Sequence, residues 1–258
     1  MTTDTVGEAR WPDSRWTTVV VLAGLAATWE ILVRLGPLPS FYFPPPSAVA
    51  GSLVELTRGG ELLEHGGTTL VRIGAGLLVG ASTGFLAGVA MGRSERLRVV
   101  ADPVVGALYP LPKIAILPLV MIFLGIGESS KHVVIALAAF FPMLISTLAG
   151  VRQIPDIYFE VAENYGADRR ALLRRVVLPA SLPAVLGGLR IALNSVIHVT
   201  IAVEIVSAVR GLGALIWLSW EVLRVERLYA ALVLIALLGI AATWGVEWMS
   251  RRFVPWRT

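Results

Sequence analysis

The sequence lacks cysteine and several of the motifs that catalytic and metal sites require. None of its 258 residues is a cysteine, which excludes disulfides and thiolate metal sites. Its two lysines, Lys113 and Lys131, both lack a preceding glycine, so the phosphate-binding motif GxxxxGK[ST] is absent. The zinc motif HExxH is also absent, and the three histidines, His65, His132 and His198, show no ligand spacing. We therefore expect this chain to hold no catalytic residues, no metal and no cofactor.

Charge is scarce and apolar residues are abundant. Hydrophobic residues make up 56% of the chain and charged residues 16%, and the mean hydropathy is +0.75, a composition rare in soluble domains. Apolar runs of about 18 residues or more predict membrane-spanning helices. Six spans are predicted: 17–35, 70–91, 99–124, 132–150, 184–209 and 229–249. We expect an all-α transmembrane domain over residues 17–258, preceded by a short cytoplasmic segment, 1–16.

The basic residues predict how the chain is oriented, because cytoplasmic loops collect lysine and arginine. With a cytoplasmic N-terminus, that side holds Arg10, Arg15, Arg93, Arg96, Arg98, Arg152, Arg169, Arg170, Arg174, Arg175, Arg251, Arg252 and Arg257. The opposite side holds only Arg58, Lys131, Arg210, Arg224 and Arg227. Both termini are therefore predicted to be cytoplasmic. Because the positive charge lies between the apolar runs, it indicates topology and does not point to nucleic-acid binding.

A charged segment, about residues 151–183, separates the fourth and fifth spans on the predicted cytoplasmic side. Residues 156–165 and 168–177 each have a helix-forming composition, and Gly166 lies between them, where glycine can end a helix without steric cost. Leu178-Pro179 and Pro183 are predicted to bend the chain back toward the membrane. The residues alone leave two interpretations open, a positively charged anchor loop and a docking element for a cytoplasmic partner.

The same segment resembles a known motif. It reads EVAENYGADRRALLRRVVLP from Glu160 to Pro179 and resembles the EAA loop of ABC-importer permeases, which is Glu-Ala-Ala, three residues, Gly, nine residues, then Ile-x-Leu-Pro. Two valines replace an alanine and an isoleucine of that pattern. In that family the loop forms coupling helices that seat in a groove of the ATPase subunit. The resemblance implies that the coupling residues are Glu160, Ala162, Gly166, Leu178 and Pro179.

Further motifs resemble the sulfonate, taurine and nitrate branch of these permeases. They are FPPPSAV (43–49), GTTLVR (67–72), GIGESSK (125–131), FFPMLISTLAGVR (140–152) and GLG (211–213). The resemblance implies a type I permease of the bacterial inner membrane, itself non-catalytic. Its implied partners are ATPase subunits that bind ATP and Mg, a second copy of the chain or a similar subunit, and an extracytoplasmic solute-binding protein.

The implied substrate is a small anionic or polar solute. Sulfonates, taurine, nitrate, bicarbonate, aromatic acids and vitamin precursors all occur in this branch, and the motifs do not separate them. Two other classes remain as alternatives. An ion-coupled secondary transporter often has internal repeats, and a membrane enzyme needs clustered His, Asp or Glu. Neither class accounts for the spacing of the EAA-like segment.

Two spans carry features that indicate packing. The second span has glycines at every fourth position, Gly76, Gly80, Gly84, Gly88 and Gly92, a spacing that allows close helix contact. Helix packing and a sliding gate both account for this row, and packing is favoured. The third span contains Pro110, Pro112 and Pro118, which predict an interrupted helix beside the pathway.

Polar residues interrupt the fifth span. At about 100° per residue, Arg190, Asn194, His198 and Glu204 share a helix face about 120° wide. Ionisable groups facing lipid are costly, so this face points into the protein or a watery cavity. It either forms an internal polar network, with Arg190 reaching the membrane surface, or it places Asn194, His198 and Glu204 on the translocation pathway or the dimer seam.

Two loops on the predicted outer side are candidate contacts for a solute-binding protein. In the first, 125–131, the glycines favour a tight turn, and Ser129 or Ser130 is predicted to cap the fourth span. The second, 211–228, contains tryptophans and charged residues and is predicted to lie as an amphipathic segment at the membrane interface.

Overall fold

The computed structural model describes residues 15–36 and 38–254, and within these ranges every regular element is helical. Most of the predicted N-terminal segment, residues 1–14, lies outside the described residues. The helices are α1 (Arg15–Arg34), α2 (Pro46–Arg58), α3 (Glu61–Arg93), α4 (Glu95–Leu108), α5 (Leu117–Leu124), α6 (Glu128–Arg152), α7 (Asp156–Asn164), α8 (Arg169–Leu172), α9 (Leu178–Ser207), α10 (Leu212–Glu221) and α11 (Val225–Phe253). The predicted all-α class is confirmed.

The described residues contain five helices that are long and apolar enough to cross a membrane. These are Thr17–Arg34, Glu61–Arg93, Glu128–Arg152, Arg169–Ser207 and Val225–Phe253. A sixth candidate is a bent pair, in which Glu95–Leu108 and Lys113–Leu124 meet at 91°. The predicted spans match these helices. Several ends extend beyond the predicted boundaries, because polar flanks such as Glu61–Thr69 are also helical, whereas α1 and α9 end one or two residues before theirs.

The interruption of the third span differs in detail from the prediction. Pro110 and Pro112 lie in the break between α4 and a short 3₁₀ helix, Lys113–Ile116. Pro118, however, does not interrupt a helix, because it stands in the first turn of α5, where the missing N–H has no helical partner to lose. Pro103 lies inside α4.

Helices α3, α6 and α9 form the centre of the fold. All five glycines of the predicted row on α3 lie against α6. A Cβ atom on Gly80 or Gly84 would overlap a backbone carbonyl oxygen of α6, and one on Gly88 would lie 2.7 Å from the Leu144 oxygen. Glycine is therefore what allows the two backbones to approach each other. Beside this contact, Ile135 and Val196 are fully buried in an apolar cluster that also includes α11.

Two short helices lie outside the predicted spans. Helix α2 begins with Pro46 in its first turn, as the PPP sequence favours, and packs Leu56 against α11. Helix α10 corrects the predicted interfacial segment. Its first turn is buried against α9, α11 and α3, and only its distal side exposes Trp217 and Trp220. The apolar sequence GLGALI packs inside the protein because it lacks a polar face.

The predicted cap of α6 is wrong. The residue at the N-cap is Gly127, and no side chain caps this helix end. Ser129 and Ser130 instead lie in the first turn of α6, where the Ser130 hydroxyl donates to the Gly127 carbonyl oxygen at 2.9 Å. The helix therefore starts at Glu128, two residues earlier than a cap at Ser129 would place it.

Candidate functional site

The segment between α6 and α9 contains a tight turn built around Gly166. Helix α7 ends at Asn164, and Gly166 follows with a left-handed φ of +78°. The Gly166 N–H donates to the Glu163 carbonyl at 2.8 Å and the Ala167 N–H donates to the Ala162 carbonyl at 3.0 Å, which together form a Schellman motif. Asp168 then caps α8 by accepting from the Ala171 N–H at 2.7 Å.

The chain stays helical through Leu178, Pro179 and Pro183, which corrects the prediction that these residues turn it back toward the membrane. A π-helical turn, Leu173–Val177, joins α8 directly to α9, and residues 169–207 are continuously helical. The wider π turn shifts the hydrogen-bond register ahead of Pro179. The chain therefore passes the proline, which stands in the first turn of α9, without leaving the helical conformation.

Helix α7 is exposed on its outer side and anchored on its inner side. None of its residues is fully buried; Glu160 is exposed and Ala162 is half-buried. Its anchor is Phe159, which contacts an apolar cluster formed by α6 and the π turn and lies 5.0 Å below the Arg93 guanidinium. The outer side presents exposed apolar and aromatic side chains, Tyr158, Val161 and Tyr165, a combination typical of an interaction surface.

At the other end of α9, an ionic cluster joins three helices. Arg72 of α3 donates to Glu204 of α9 at 2.8 Å and, through two nitrogens, to Glu128 of α6 at 2.7 and 2.8 Å. Lys131 donates to the same Glu128 carboxylate at 2.8 Å. Arg72 is 3% exposed and Glu204 is 0% exposed. Two cations and two carboxylates are brought together, so the four formal charges cancel.

The segment that starts α10 completes the environment of Glu204. The Gly213 N–H donates to the carboxylate at 2.9 Å, and the Thr69 hydroxyl lies 3.0 Å from both its oxygens. Gly211 has a left-handed φ of +126°, and a Cβ atom there would overlap the Glu204 carboxylate. The glycines of the GLG motif therefore leave the room that a buried carboxylate needs.

The structure separates the polar residues predicted to share one face of the fifth span. Asn194 and His198 are exposed, whereas Glu204 is buried within the ionic cluster. The Glu204 carboxylate joins α9 to α3 through Arg72, a contact consistent with the interpretation of an internal polar network. Arg190 is exposed near the middle of α9, and its guanidinium lies 3.4 Å from the Glu247 carboxylate. Helical spacing placed these four residues on one face of the span, but it could not show that the start of α10 covers Glu204.

Four residues of the cluster had no predicted role: Thr69, Arg72, Glu128 and Lys131. Their signal was present in the motifs GTTLVR, GIGESSK and GLG, which are distant in sequence and meet at this cluster. Each motif was considered alone, as a turn or a part of a span, because the sequence does not show which helix ends are neighbours.

Replacing Arg72 by methionine is expected to destabilise the protein, because it leaves Glu204 as an uncompensated buried charge. Removing one partner of such a pair costs about 3–5 kcal/mol, so the thermal unfolding midpoint of the purified protein in detergent should fall sharply. The control is Arg34→Met, which removes an exposed ion pair with Glu30 worth less than about 1 kcal/mol. The double variant Arg72→Met, Glu204→Gln should recover part of the lost unfolding midpoint. Equal midpoints for Arg72→Met and Arg34→Met would contradict the structural role of the cluster.

Asn194 and His198 line a cavity of about 490 Å³ between α6, α9 and the break after α4. The Nδ1 atom of His198 lies 2.7 Å from the Asn194 carbonyl oxygen, so it is the donor in this bond. Lys113, at the start of the 3₁₀ helix, and Tyr109 form the opposite wall. The cavity is thus polar on two sides and lies beside the interrupted span.

Two sequence features related to metal binding and acyl transfer can be compared with the structure. Within residues 15–36 and 38–254, no three His, Asp or Glu side chains are grouped to hold a metal ion. A GxSxG sequence does occur at 80–84, but Ser82 lies in the middle of α3 and donates to the Val79 carbonyl oxygen. A nucleophile elbow needs a strand-to-helix turn, so this sequence is part of the glycine row.

Comparison with known proteins gives a consistent family. Residues 80–255 match the family described as binding-protein-dependent transport system inner membrane component. The chain is 34% identical over 254 residues to the taurine transport system permease protein TauC of Escherichia coli (strain K12), covering 96% of this chain and 92% of the relative. It is 30% identical to the putative aliphatic sulfonates transport permease protein SsuC of Bacillus subtilis (strain 168), covering 91% and 85%.

Among solved structures, the fold is similar to that of the MetNI methionine ABC transporter in an inward-facing conformation. The TM-score is 0.66, and the match covers 72% of this chain and 93% of that chain. The sequence identity is 19%, so this likeness concerns the fold.

Proposed function

We propose that this chain carries a small sulfonate across the membrane. The chain belongs to the family of binding-protein-dependent transport system inner membrane components. The chain is the permease subunit of an ABC importer, and its family implies ATPase and substrate-binding protein partners. Both named relatives carry taurine or aliphatic sulfonates in their names, which supports this substrate class. The predicted six-span permease fold is confirmed by the helical architecture and by the likeness to MetNI.

Coupling to the ATPase is assigned to α7 and the turn at Gly166. The observation that carries this proposal is an exposed helix with an apolar outer side, anchored through Phe159 and ended by a Schellman motif within the EAA-like spacing. Glu160, Ala162 and Gly166 belong to this surface. Leu178 and Pro179 have a different part, because they lie in the continuous helix that leads from the surface into the bundle.

Orientation follows from the same surface. The EAA-like segment must face the cytoplasm to meet an ATPase, and the excess of arginine lies on that side. Both termini are then cytoplasmic, and the Arg72–Glu128–Glu204 cluster lies near the extracytoplasmic end of α9. The neighbouring loops, which include Ile126 and Arg210, are the surface available to the substrate-binding protein.

A second copy of the chain is proposed to cover the face that contains α4. This helix has no buried residue, and the adjacent cavity exposes Lys113, Asn194 and His198. Such groups are costly against lipid, whereas two copies related by a twofold axis would enclose them in a shared pathway. The homodimer therefore explains why polar groups stand on an otherwise apolar surface.

Cysteine labelling tests the pathway. Cysteines at Asn194, His198 and Ile201 should react with water-soluble thiol reagents in at least one transport state, whereas those at Val196 and Val203 should not, because both valines are fully buried. The native chain has no cysteine, so background labelling is absent. Labelling confined to the two buried positions, or equal around the helix, would contradict the pathway assignment.

The overall function is tested by co-expressing the chain with its cognate ATPase and measuring uptake in proteoliposomes. We expect the two to co-purify and to accumulate taurine or ethanesulfonate when ATP and the cognate binding protein are supplied. An ionophore that dissipates ion gradients should leave uptake unchanged. Failure of the ATPase to co-purify, or uptake that needs an ion gradient and no ATP, would contradict the proposal and favour a secondary transporter.

A further inference from the structure

We propose that Lys113, together with Asn194, forms a mid-membrane contact site for the sulfonate group of the substrate. This inference rests on the proposed function and names the residues that recognise the anion within the permease itself. Three observations support it: the position of the cavity, the absence of an acidic partner for Lys113, and the hydrogen-bond donors that line the cavity.

The cavity lies at the middle of the membrane-spanning helices. On α6 it is lined by Ala138 and Pro142, which are near the centre of Glu128–Arg152, and on α9 it is lined by residues between Ile191 and Val199, near the centre of Leu178–Ser207. Irregular backbone at such depth is tolerated where it lines a cavity. The break after α4 provides this backbone and places Lys113 at the wall.

The two lysines of the chain have opposite environments. Lys131 is neutralised by Glu128 at 2.8 Å. For Lys113, no carboxylate of the described residues lies within ion-pair distance, and none of the residues lining its cavity is acidic. A cation within a membrane protein is normally paired with an acid or faces a watery cavity. Because Lys113 has no acidic partner here, its positive charge is expected to attract an anion into the cavity.

The local contacts of Lys113 position its ammonium group without neutralising it. The group donates to the Tyr109 carbonyl oxygen and lies 5.0 Å from the Tyr109 ring and 5.1 Å from the Phe141 ring. An ammonium group has three donors, so two remain for a ligand. The aromatic rings restrict its position and leave its full positive charge in the cavity.

The opposite wall adds a neutral donor. Asn194 is exposed into the cavity, and its side-chain amide carries two N–H donors. His198 has a different part: its Nδ1 is bonded to the Asn194 carbonyl, so its Nε2 donates to an anion only when the ring is protonated. A sulfonate, with one permanent charge and three acceptor oxygens, matches one cation and one amide.

This arrangement suits passage rather than tight retention. Transport needs binding that is favourable enough to enter the site and weak enough to leave it. A single lysine acts as a point charge and lacks the bidentate fork of arginine, and the cavity of about 490 Å³ is open on one side. The site would therefore select a small anion delivered by the binding protein and release it as the helices rearrange.

The test is ATP-driven uptake of radiolabelled ethanesulfonate by the complete transporter in proteoliposomes. Lys113→Gln should lower uptake by about ten- to hundredfold, the loss expected for a hydrogen bond to a charged group, whereas Lys113→Arg should retain most of it. Lys113→Gln should lower the unfolding midpoint less than Lys131→Gln does, because it removes a hydrogen bond and two ring contacts but breaks no ion pair. Lys131→Gln, the matched control, should lower that midpoint by disrupting the ionic cluster.

The outcomes separate this inference from the proposed function. If the unmodified transporter accumulates ethanesulfonate and Lys113→Gln does so equally well, the site is wrong and the function stands. If the unmodified transporter accumulates no sulfonate, the proposed substrate class itself is wrong. Should Lys113→Gln fail to assemble, Asn194→Ala decides, because this exposed residue is not needed for packing: several-fold lower uptake supports the site, and unchanged uptake overturns it.

Discussion

Replacing Gly84 by leucine is expected to prevent α3 from packing on α6. A Cβ atom at this position would overlap the Phe140 carbonyl oxygen and lie 3.1 Å from the Met143 Cβ, and backbone cannot move aside as a flexible side chain can. The free energy of unfolding should fall by more than about 4 kcal/mol, a loss that is exceptional for a single substitution. We expect loss of the folded protein from detergent extracts, measured by size-exclusion chromatography and by thermal unfolding of whatever remains.

The matched control is Gly74→Leu on the same helix. A Cβ atom added to Gly74 would have no neighbouring atom within 4 Å, so the same added side chain should be accommodated with an unfolding midpoint near that of the native protein. If the Gly84 variant were as stable and as monodisperse as the Gly74 variant, the close contact between α3 and α6 would be wrong.

The glycine row also illustrates how much of the fold the sequence determines. Spacing by four residues predicted one small-residue face on the second span, since periodicity along a helix is a local property. Which helix packs against that face, however, depends on residues that are distant in sequence. Nothing in the row indicates α6 rather than another helix, and the contact between Gly80 and Ala136 joins residues that are far apart in sequence.

The same limit applies to the ionic cluster. Arg72 lies 56 residues from Glu128 and 132 residues from Glu204, so neither pair has a sequence signature. Helix α10 escaped prediction for another reason. It has 10 residues, too few for a membrane span, and its apolar first turn resembles the end of the preceding span.

The continuous helix from Arg169 to Ser207 provides a physical connection between the two ends of the protein. Its N-terminal turn follows the Gly166 turn, and Glu204 stands near its C-terminus. Because the chain stays helical, a displacement of the proposed coupling surface can be transmitted along one continuous helix to the cluster that joins α3, α6 and α9.

Replacing Gly166 by aspartate is therefore expected to abolish ATP-driven uptake while leaving the protein folded. No atom lies within 4 Å of a Cβ atom at this exposed position, and aspartate enters the left-handed region at a cost of about 1–2 kcal/mol, which the fold can bear. Seated against an ATPase, however, the new carboxylate would be desolvated without a partner. Uptake should fall by at least about a hundredfold, equivalent to about 3 kcal/mol, with an unfolding midpoint close to that of the native protein.

The control is Gly166→Asn, which has nearly the same size and the same tolerance of the left-handed conformation but no charge. It should retain more uptake and more bound ATPase in co-purification than the aspartate variant, because a neutral amide is less costly to desolvate than a carboxylate. Equal losses in both variants would assign the effect to size at the turn. Normal uptake by Gly166→Asp, with the ATPase still attached, would show that this turn does not lie in the coupling interface.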